Sequence, residues 1–317
     1  IESLDADSAP NGPSTINWEF TSEASGDGAF DFLQQDETLI LTYAVTLTDD
    51  SGATGSDESE DSVTYITITI TGTNETPLVT AGGDATAGVT ETDTTLTVSD
   101  SITVSDKDTK DTVTVAISDV QLSGSFIDGS STLPAELSAN NHAELLGMLS
   151  LTPEAGTALA ANEAEGGTSF DWTFTSGDSG DAAFDFLQED ETLTLTYTLT
   201  LSDNSGAGIS EATATTNTDV AVTITGTNDS PVISYGVDGD SGSAVETNAT
   251  ITDSGALNVV DIDLSDSVDV SVQNVTITGG DFTSETVPAA LTANSSQVLK
   301  GMLSFTPVAG TELAANP

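Results

Sequence analysis

Acidic residues at a repeated spacing are the clearest candidates for chemistry in this sequence. Asp106, Asp108 and Asp111 in DKDTKD have the same spacing as the three aspartates of DIDLSD, which are Asp261, Asp263 and Asp266. Grouped carboxylates can bind a cation, and two of them can serve as the acid and base of a glycosidase. The chain holds 52 acidic residues, only three lysines and no arginine. Acidic pairs are therefore too abundant for any one of them to indicate glycosidase chemistry.

The formal net charge of −49 excludes several classes of partner. Nucleic acid and anionic lipid both need Lys and Arg to neutralise phosphate, and a surface this acidic repels them. Cations are therefore the expected partners, and we predict contact with neither nucleic acid nor a membrane. The sequence has no cysteine, which removes disulfides and thiolate metal sites from consideration.

Motifs for catalysis are incomplete. GDSGD at 177–181 and GDSGS at 239–243 resemble the serine segment of trypsin-like proteases, but a catalytic triad needs a histidine base. The single histidine, His142, has Ser296 at the matching position of a second copy of its surroundings, and we interpret it as a surface loop residue. The sequence also contains no phosphate-binding loop and no dinucleotide fingerprint. We therefore predict that the chain is not an enzyme.

The sequence contains one unit twice, at an offset of about 154 residues. AFDFLQQDETLILTY at 29–43 returns as AFDFLQEDETLTLTY at 183–197. GMLSLTPEAGTALAAN at 147–162 returns as GMLSFTPVAGTELAAN at 301–316. A repeat of this length is large enough to form a domain with its own core.

The unit can be framed in two ways. In the first frame, residues 77–230 are a complete repeat, 1–76 are the C-terminal part of a repeat and 231–317 are the N-terminal part of the next. In the other frame, 10–163 and 164–317 are two complete repeats. The first frame leaves open strand edges on the two outer parts. It predicts that these parts exchange strands with another copy of the chain, as in domain swapping.

Period-two alternation predicts β-strands along the repeat. TLTLTYTLTLSD (192–203) places Leu and Tyr on one face and Thr on the other. VAVTITGTN (220–228) continues the pattern after a turn rich in Asp, Asn and Gly, so the two segments predict a hairpin. Helix signal is confined to NNHAELLGML (140–149), where an Asn caps a short turn. The predicted fold is all-β, with tandem antiparallel β-sandwich repeats.

The segment VTITGTNDSPVI, preceded by FDFLQEDETLTLTYTLTLSDNSG, closely resembles the VCBS repeats of giant RTX-type bacterial adhesins. The resemblance covers essentially the whole chain, twice. It implies Ig-like or cadherin-like sandwiches that depend on Ca²⁺ and bind neighbouring repeats. It also implies secretion to the bacterial cell surface, where an extender region holds an adhesive tip away from the cell for adhesion or biofilm formation. The calcium-binding nonapeptide repeats that end such adhesins are absent.

Calcium takes six to eight oxygen ligands, at roughly 2.3–2.6 Å, from carboxylates, Asn side chains and backbone carbonyls. Three loop clusters in each copy could supply them: a linker, the DxDxxD loop and a hairpin turn. The candidates are Asn74, Glu75, Asn228 and Asp229 in the linkers, Asp106, Asp108, Asp111, Asp261, Asp263 and Asp266 in the loops, and Asp49, Asp50 and Asp203 in the turns. Neither loop is an EF-hand, because its sixth position lacks Gly and its twelfth, Ile117 or Val272, cannot ligate.

The clusters are similar to those of cadherins, whose Asn-Asp linker, DxD loop and Asp-x-Gly turn share calcium between domains. In a sandwich, the turn before the last strand lies at the end where the first strand enters. We therefore expect Asp203 to approach Asn74, Asp106 and Asp108, and Asn228 to meet Asp261 and Asp263. Two further residues, Glu91 and Glu246, resemble an early glutamate of the same families.

Two tryptophans leave a carbohydrate-binding module open as an alternative function. Trp18 in INWEF and Trp172 in FDWTF could stack on a sugar ring. Phenylalanines lie at period-two positions beside them, which favours a place in the sandwich core. Repetition in both copies also suits a structural role, and we expect both tryptophans to be buried.

Overall fold

The structure is a computed structural model of the chain. It describes residues 15–22, 28–48, 61–92, 94–125, 142–176, 184–204, 214–236, 241–263, 266–277, 295–306 and 313–314. The protein is mostly β-strand, and its strands lie in antiparallel sheets with one parallel pair. The prediction of an all-β fold is confirmed.

The described strands, in chain order, are β1 (Thr38–Thr48), β2 (Asp61–Thr71), β3 (Leu78–Ala81), β4 (Ala85–Thr90), β5 (Thr97–Ser105), β6 (Thr112–Ser125), β7 (Leu149–Thr152), β8 (Leu159–Ala160), β9 (Thr168–Thr175), β10 (Thr192–Asp203), β11 (Thr215–Thr225), β12 (Val232–Tyr235), β13 (Leu257–Val260), β14 (Ser267–Val268) and β15 (Leu313–Ala314). The helices are α1 (His142–Gly147), a 3-10 turn (Glu163–Glu165) and α2 (Ser295–Lys300). Helix α1 lies where the sequence predicts one, whereas α2 was not predicted. No described helix has the length and hydropathy that a bilayer crossing requires.

Two sheets carry the buried core. One has the order β4-β11-β10-β6-β8, and the other has the order β3-β5-β9-β7. The predicted hairpin is β10 and β11, which pair antiparallel with Tyr197 opposite Val220. Strand β4 pairs with β11 in parallel, which differs from the expected antiparallel arrangement. The small residues of β4 alternate in burial, but this pattern does not encode the direction of pairing.

Side chains from both sheets form one hydrophobic cluster. The apolar residues of β10 alternate with threonines, and every one of them is buried to 0% exposure: Leu193, Leu195, Tyr197, Leu199 and Leu201. The Tyr197 hydroxyl donates to the Leu145 carbonyl at 2.9 Å, and its ring lies 6.4 Å from that of Phe174. This hydrogen bond allows a tyrosine to be fully buried.

The two tryptophans differ in environment. Trp172 is 1% exposed within the core, as expected, whereas Trp18 is 59% exposed and lies outside any strand. The expectation that both fill a core is therefore wrong for Trp18. Strand β9, which holds Trp172, lies between β5 and β7 in its sheet. The segment of Trp18 pairs with no strand among the described residues, so no neighbouring strand covers its indole ring.

The second copy of the hairpin repeats the backbone pairing without the burial. Strands β1 and β2 pair with Tyr43 opposite Ile66, which matches Tyr197 opposite Val220. Tyr43 is 45% exposed because, among the described strands, β1 pairs with β2 alone. The pairs β12–β13 and β14–β15 likewise repeat β3–β5 and β6–β8 on a smaller scale.

The fold brings the ends of several strands to one place. The loop 106–111 connects β5 to β6 and so crosses from one large sheet to the other. Its first residue is anchored, because the Asp106 amide donates to the Ala161 carbonyl at 2.6 Å and its carbonyl accepts from the Glu163 amide at 2.8 Å. Asp203 is the last residue of β10, and the linker 72–77 leads from β2 into β3.

Candidate cation sites at two linkers

We use the term first junction for six residues around the linker between β2 and β3: Asn74, Glu75, Asp106, Asp108, Asp111 and Asp203. Hydrogen bonds connect the linker to the loop and to β10. The Glu75 amide donates to Asp108 Oδ2 at 2.9 Å, and Asn74 Nδ2 donates to Asp203 Oδ2 at 3.1 Å. The loop is also bonded within itself, since the Asp108 amide donates to Asp106 Oδ1 at 3.0 Å. The structure thus connects Asn74 and Glu75 of the linker to Asp203 and Asp108, and Asp203 approaches Asn74 as expected.

The carboxylates of the first junction are buried. Asp106, Asp108, Asp111 and Asp203 are at most 3% exposed. One oxygen of each of the first three, and Oε2 of Glu75, have no hydrogen-bond partner among the described residues. A buried carboxylate oxygen without a partner is costly, because it has lost its water and gained nothing in exchange. A bound cation would supply the missing interaction to several of these oxygens at once.

Burial raises the pKa of these carboxyl groups. The pKa of Asp106 rises to about 6 because the group is desolvated; the Asp108 amide opposes the rise, and the charge of Asp203 adds to it. Burial likewise raises the pKa of Asp108 to about 7, with the charge of Glu75 adding to the effect. The pKa of Asp111 is also raised, mainly by burial. Ionised carboxylates crowded in this way repel one another until a counter-ion reaches them.

Contacts from the segment 31–37, which precedes β1, complete the first junction, and sequence reasoning missed them. Gln34 Nε2 donates to Asp111 Oδ1. Lys107 Nζ pairs with Asp31 Oδ2 at 2.7 Å, and Lys110 Nζ pairs with Glu37. One sequence signal could have indicated these contacts: the segment AFDFLQxDE occurs in both copies. Its polar residues precede the strand, so strand formation does not explain why they are repeated.

We use the term second junction for the equivalent set around the linker between β11 and β12: Asn228, Asp229, Asp261, Asp263 and Asp266. One carboxylate oxygen from each of the three loop aspartates lies within 4.8 Å of the other two. The Asp229 amide donates to Asp263 Oδ2 at 2.8 Å, which repeats the bond from Glu75 to Asp108. The Asp263 amide donates to Asp261 Oδ1 at 3.2 Å, as Asp108 does to Asp106.

Burial at the second junction follows the same pattern. Asp261 and Asp263 are at most 2% exposed, and Asp263 Oδ1 has no hydrogen-bond partner among the described residues. Burial raises the pKa of Asp263 to about 6, and the charges of Asp229, Asp266 and Asp261 add to the effect. Burial also raises the pKa of Asp266, and the charge of Glu191 is among the further causes.

The remaining candidate residues are placed unequally. Glu91 is 1% exposed, and its Oε2 accepts from Thr227 Oγ1, in the linker between β11 and β12, at 2.5 Å. Glu246, at the equivalent position of the next repeat, is exposed in a segment without strand structure. Asn228 is exposed, and its Nδ2 donates to the carbonyl of Asp229. The contact with the loop that we expected from Asn228 is made instead by the amide of Asp229, which donates to Asp263. Asp49 and Asp50 lie outside the described residues.

The chemistry of the two junctions is that of hard oxygen donors. Carboxylate and amide oxygens suit Ca²⁺, Mg²⁺ or Mn²⁺, and neither junction contains a Cys or His ligand. Both junctions combine a linker residue with a DxDxxD loop, and both bury a carboxylate oxygen that accepts no hydrogen bond from the described residues. The arrangement can therefore join two segments of chain through one shared cation.

Comparisons with known proteins do not assign the chain to a family. No family model matches it, and no curated protein matches its sequence. Among solved structures, the chain is similar to the class 5 fimbriae chaperone CfaA, with 11% sequence identity and a TM-score of 0.22. The match covers 58% of this chain and 82% of the chaperone chain.

Proposed function

We propose that the chain is a non-enzymatic extender segment whose linkers are stiffened by Ca²⁺. The observation that carries the proposal is the burial, at both junctions, of carboxylate oxygens that have no hydrogen-bond partner in the described part of the chain. Asp106 Oδ2, Asp108 Oδ1 and Asp263 Oδ1 are of this kind. A protein that used its acidic residues only for solubility would leave them at the surface. A divalent cation accounts for their burial because it replaces the water that they have lost.

The position of the sites supports a mechanical role. Each junction joins a linker to a loop of the sheets that follow it, through the amide of Glu75 at one junction and that of Asp229 at the other. Without the ion, the crowded carboxylates repel one another and loosen this contact wherever no other positive charge replaces the ion. With the ion, repulsion is replaced by coordination and the linker is held straight against the loop. The proposed sites therefore convert external calcium into stiffness between repeats.

The distribution of the core supports tandem β-sandwich repeats with residues 77–230 as a complete unit. Every member of the main hydrophobic cluster lies between residues 79 and 224, and most of them lie on strands of the two large sheets. The hairpin β1–β2 and the pairs β12–β13 and β14–β15 are then parts of the repeats on either side. Such an array, extended by calcium, fits the stalk of a secreted bacterial surface adhesin.

Calorimetric titration with Ca²⁺ tests the proposal, with Mg²⁺ as the competing ion. We expect saturable binding of Ca²⁺ with a Kd of roughly 10⁻⁴–10⁻³ M, as for extracellular modules. The double variant Asp108→Asn with Asp263→Asn removes one carboxylate from each junction and is expected to weaken binding. The matched control is Asp100→Asn with Asp171→Asn, because both residues are exposed on strands of the complete repeat.

Small-angle scattering then tests the mechanical role. Addition of a chelator is expected to increase the flexibility of the particle and to lower its melting temperature. A titration without heat or saturation, together with identical scattering in Ca²⁺ and in chelator, would refute both the calcium sites and the stiffening.

The exposure of Trp18 keeps a carbohydrate-binding module as a second candidate. An exposed indole is a suitable platform for a sugar ring, and Trp18 is 59% exposed. Trp172 is buried and unavailable for stacking, which weakens the argument for a site repeated in each unit. Screening against a glycan array, with Trp18→Ala as the control, distinguishes the two functions.

A further inference from the structure

Two of the three lysines of the chain lie in the first DxDxxD loop and connect it to the segment 31–37, which precedes β1. Lys107 Nζ lies 2.7 Å from Asp31 Oδ2, and Lys110 Nζ contacts Glu37 Oε1. Asp31 and Glu37 precede β1, whereas the lysines lie between β5 and β6, so each pair spans more than 70 positions of sequence. These ion pairs therefore join two repeats across the first junction.

Other contacts strengthen the same connection. Gln34 Nε2 donates to Asp111, and Thr109 Oγ1 donates to the Phe32 carbonyl at 3.4 Å. The segment 31–37 is itself folded onto the linker, because the Gly72 amide donates to the Glu37 carbonyl at 2.8 Å. The lysines thus act on a segment that is already shaped to meet the loop.

The second loop keeps the aspartates but lacks the lysines. Ile262 stands at the position of Lys107, and Ser265 stands at the position of Lys110. The carboxylates that would face them are retained in the sequence, since Asp185 and Glu191 correspond to Asp31 and Glu37. Glu191 is 1% exposed. Beyond residue 110 the only lysine is Lys300, in α2.

We propose that Lys107 and Lys110 form a clasp that keeps the first junction closed without a divalent cation, whereas the second junction depends on the cation. The ammonium groups are covalently attached counter-ions, so they remain at the junction when a chelator removes free cations. Because both pairs are partly exposed, monovalent salt screens them and weakens the clasp. The same two positive charges oppose an incoming cation, so the first junction also binds Ca²⁺ more weakly than the second. The ion dependence of the second junction rests on the proposed function, whereas the clasp does not.

Amide hydrogen exchange measured by NMR on the full chain tests the inference, because each junction has a matched reporter. The Glu75 amide reports on the first junction and the Asp229 amide on the second, since each donates to the middle aspartate of its loop. In chelator at low salt, we expect the Glu75 amide to exchange severalfold more slowly than the Asp229 amide. The double variant K107I/K110S is expected to abolish this difference, and I262K/S265K is expected to protect the Asp229 amide.

The outcomes separate the clasp from the calcium proposal. If Ca²⁺ protects the Asp229 amide but K107I/K110S leaves the exchange of Glu75 in chelator unchanged, the clasp is wrong and the calcium sites stand. If K107I/K110S accelerates the exchange of Glu75 but Ca²⁺ protects neither amide, the clasp stands and the calcium sites are wrong. Loss of Glu75 protection in about 1 M NaCl with chelator, restored by Ca²⁺, supports both.

Discussion

Replacing Asp106 with Asn should stabilise the ion-free protein and weaken its response to calcium. Asp106 is 1% exposed, its Oδ1 accepts from the Asp108 amide, and its Oδ2 has no hydrogen-bond partner among the described residues. An Asn side chain has nearly the same shape and keeps the Oδ1 acceptor. Its amide group can donate to the carboxylates nearby, where the native oxygen repels them. The substitution therefore removes a buried charge without leaving a cavity.

The size of the expected stabilisation follows from the raised pKa of Asp106. Burial raises the pKa of Asp106 from 3.8 to about 6, and one pKa unit corresponds to about 1.36 kcal/mol. Keeping the side chain ionised at neutral pH therefore costs the folded protein about 2–3 kcal/mol. A repeat of this size gains about 2–4 °C of melting temperature for each kcal/mol. In chelator, we expect Asp106→Asn to raise the Tm by roughly 5–10 °C, provided that the complete repeat unfolds in one step.

Calcium should reduce or reverse the difference in melting temperature between the wild type and Asp106→Asn. The wild type gains stability on binding the ion in proportion to its affinity and to the free Ca²⁺ concentration. The variant has one carboxylate fewer and should gain less, so its advantage shrinks or inverts in millimolar Ca²⁺. Thermal unfolding followed by circular dichroism, with and without chelator, measures both effects.

The control for general charge is Asp171→Asn, on the exposed face of β9 in the same repeat. It removes one negative charge and is expected to change neither the Tm in chelator nor the gain with Ca²⁺ by more than about 1–2 °C. The reasoning is refuted if Asp106→Asn lowers the Tm in chelator, or if it leaves the calcium-induced gain at its wild-type value.

Three further predictions concern pH, packing and self-association. Burial raises the pKa of Asp106 and of Asp263 to about 6 and that of Asp108 to about 7. Because these values are higher than in the unfolded chain, the folded ion-free protein takes up protons as the pH falls from about 7.5 to 5. Its free energy of unfolding therefore rises over this range. Chemical denaturation across this range should show that rise, and a monotonic loss of stability would contradict it. Tyr197→Ala should lower the free energy of unfolding by about 3–5 kcal/mol, since the ring is fully buried and its hydroxyl is hydrogen-bonded. Tyr43→Ala, at the matching exposed position, should lower it by less than about 1 kcal/mol. Equal losses of stability would show that the two hairpins are equally packed. The strand-exchange hypothesis predicts oligomers that grow with concentration in light scattering, and a monodisperse monomer at all concentrations would exclude it.

The strands and the acidic clusters could be predicted from the sequence because both are local patterns. Leucines that alternate with threonines specify a half-buried strand, and β10 follows that pattern residue by residue. The spacing DxDxxD fixes the positions of three carboxylates within one loop, and in both copies the middle aspartate accepts an amide from the linker. The approach of Asp203 to Asn74 also followed, from the expectation that the end of β10 lies beside the linker that enters β3.

Contacts between distant segments could not be predicted in this way. The pairs of Lys107 and Lys110 depend on how the preceding hairpin lies against the loop, and no local pattern records that arrangement. Trp18 and Trp172 each have a phenylalanine two positions further on, yet only Trp172 is covered, because burial requires strands on both sides. Glu91 and Glu246 differ for a similar reason: Thr227 reaches the first, and the second lies in an exposed segment.

The acidic residues include two groups, those exposed at the surface and those buried at the two junctions. A net charge of −49 keeps the surface hydrated and the chain soluble. Solubility does not explain why Asp106, Asp108, Asp261 and Asp263 are withdrawn from water to at most 2% exposure beside other carboxylates. Ionised groups are tolerated in such surroundings only with a counter-ion, or else they hold a proton. The first junction has two lysines nearby and the second has none in its loop, so a comparison of the two within one molecule tests which counter-ion each one uses.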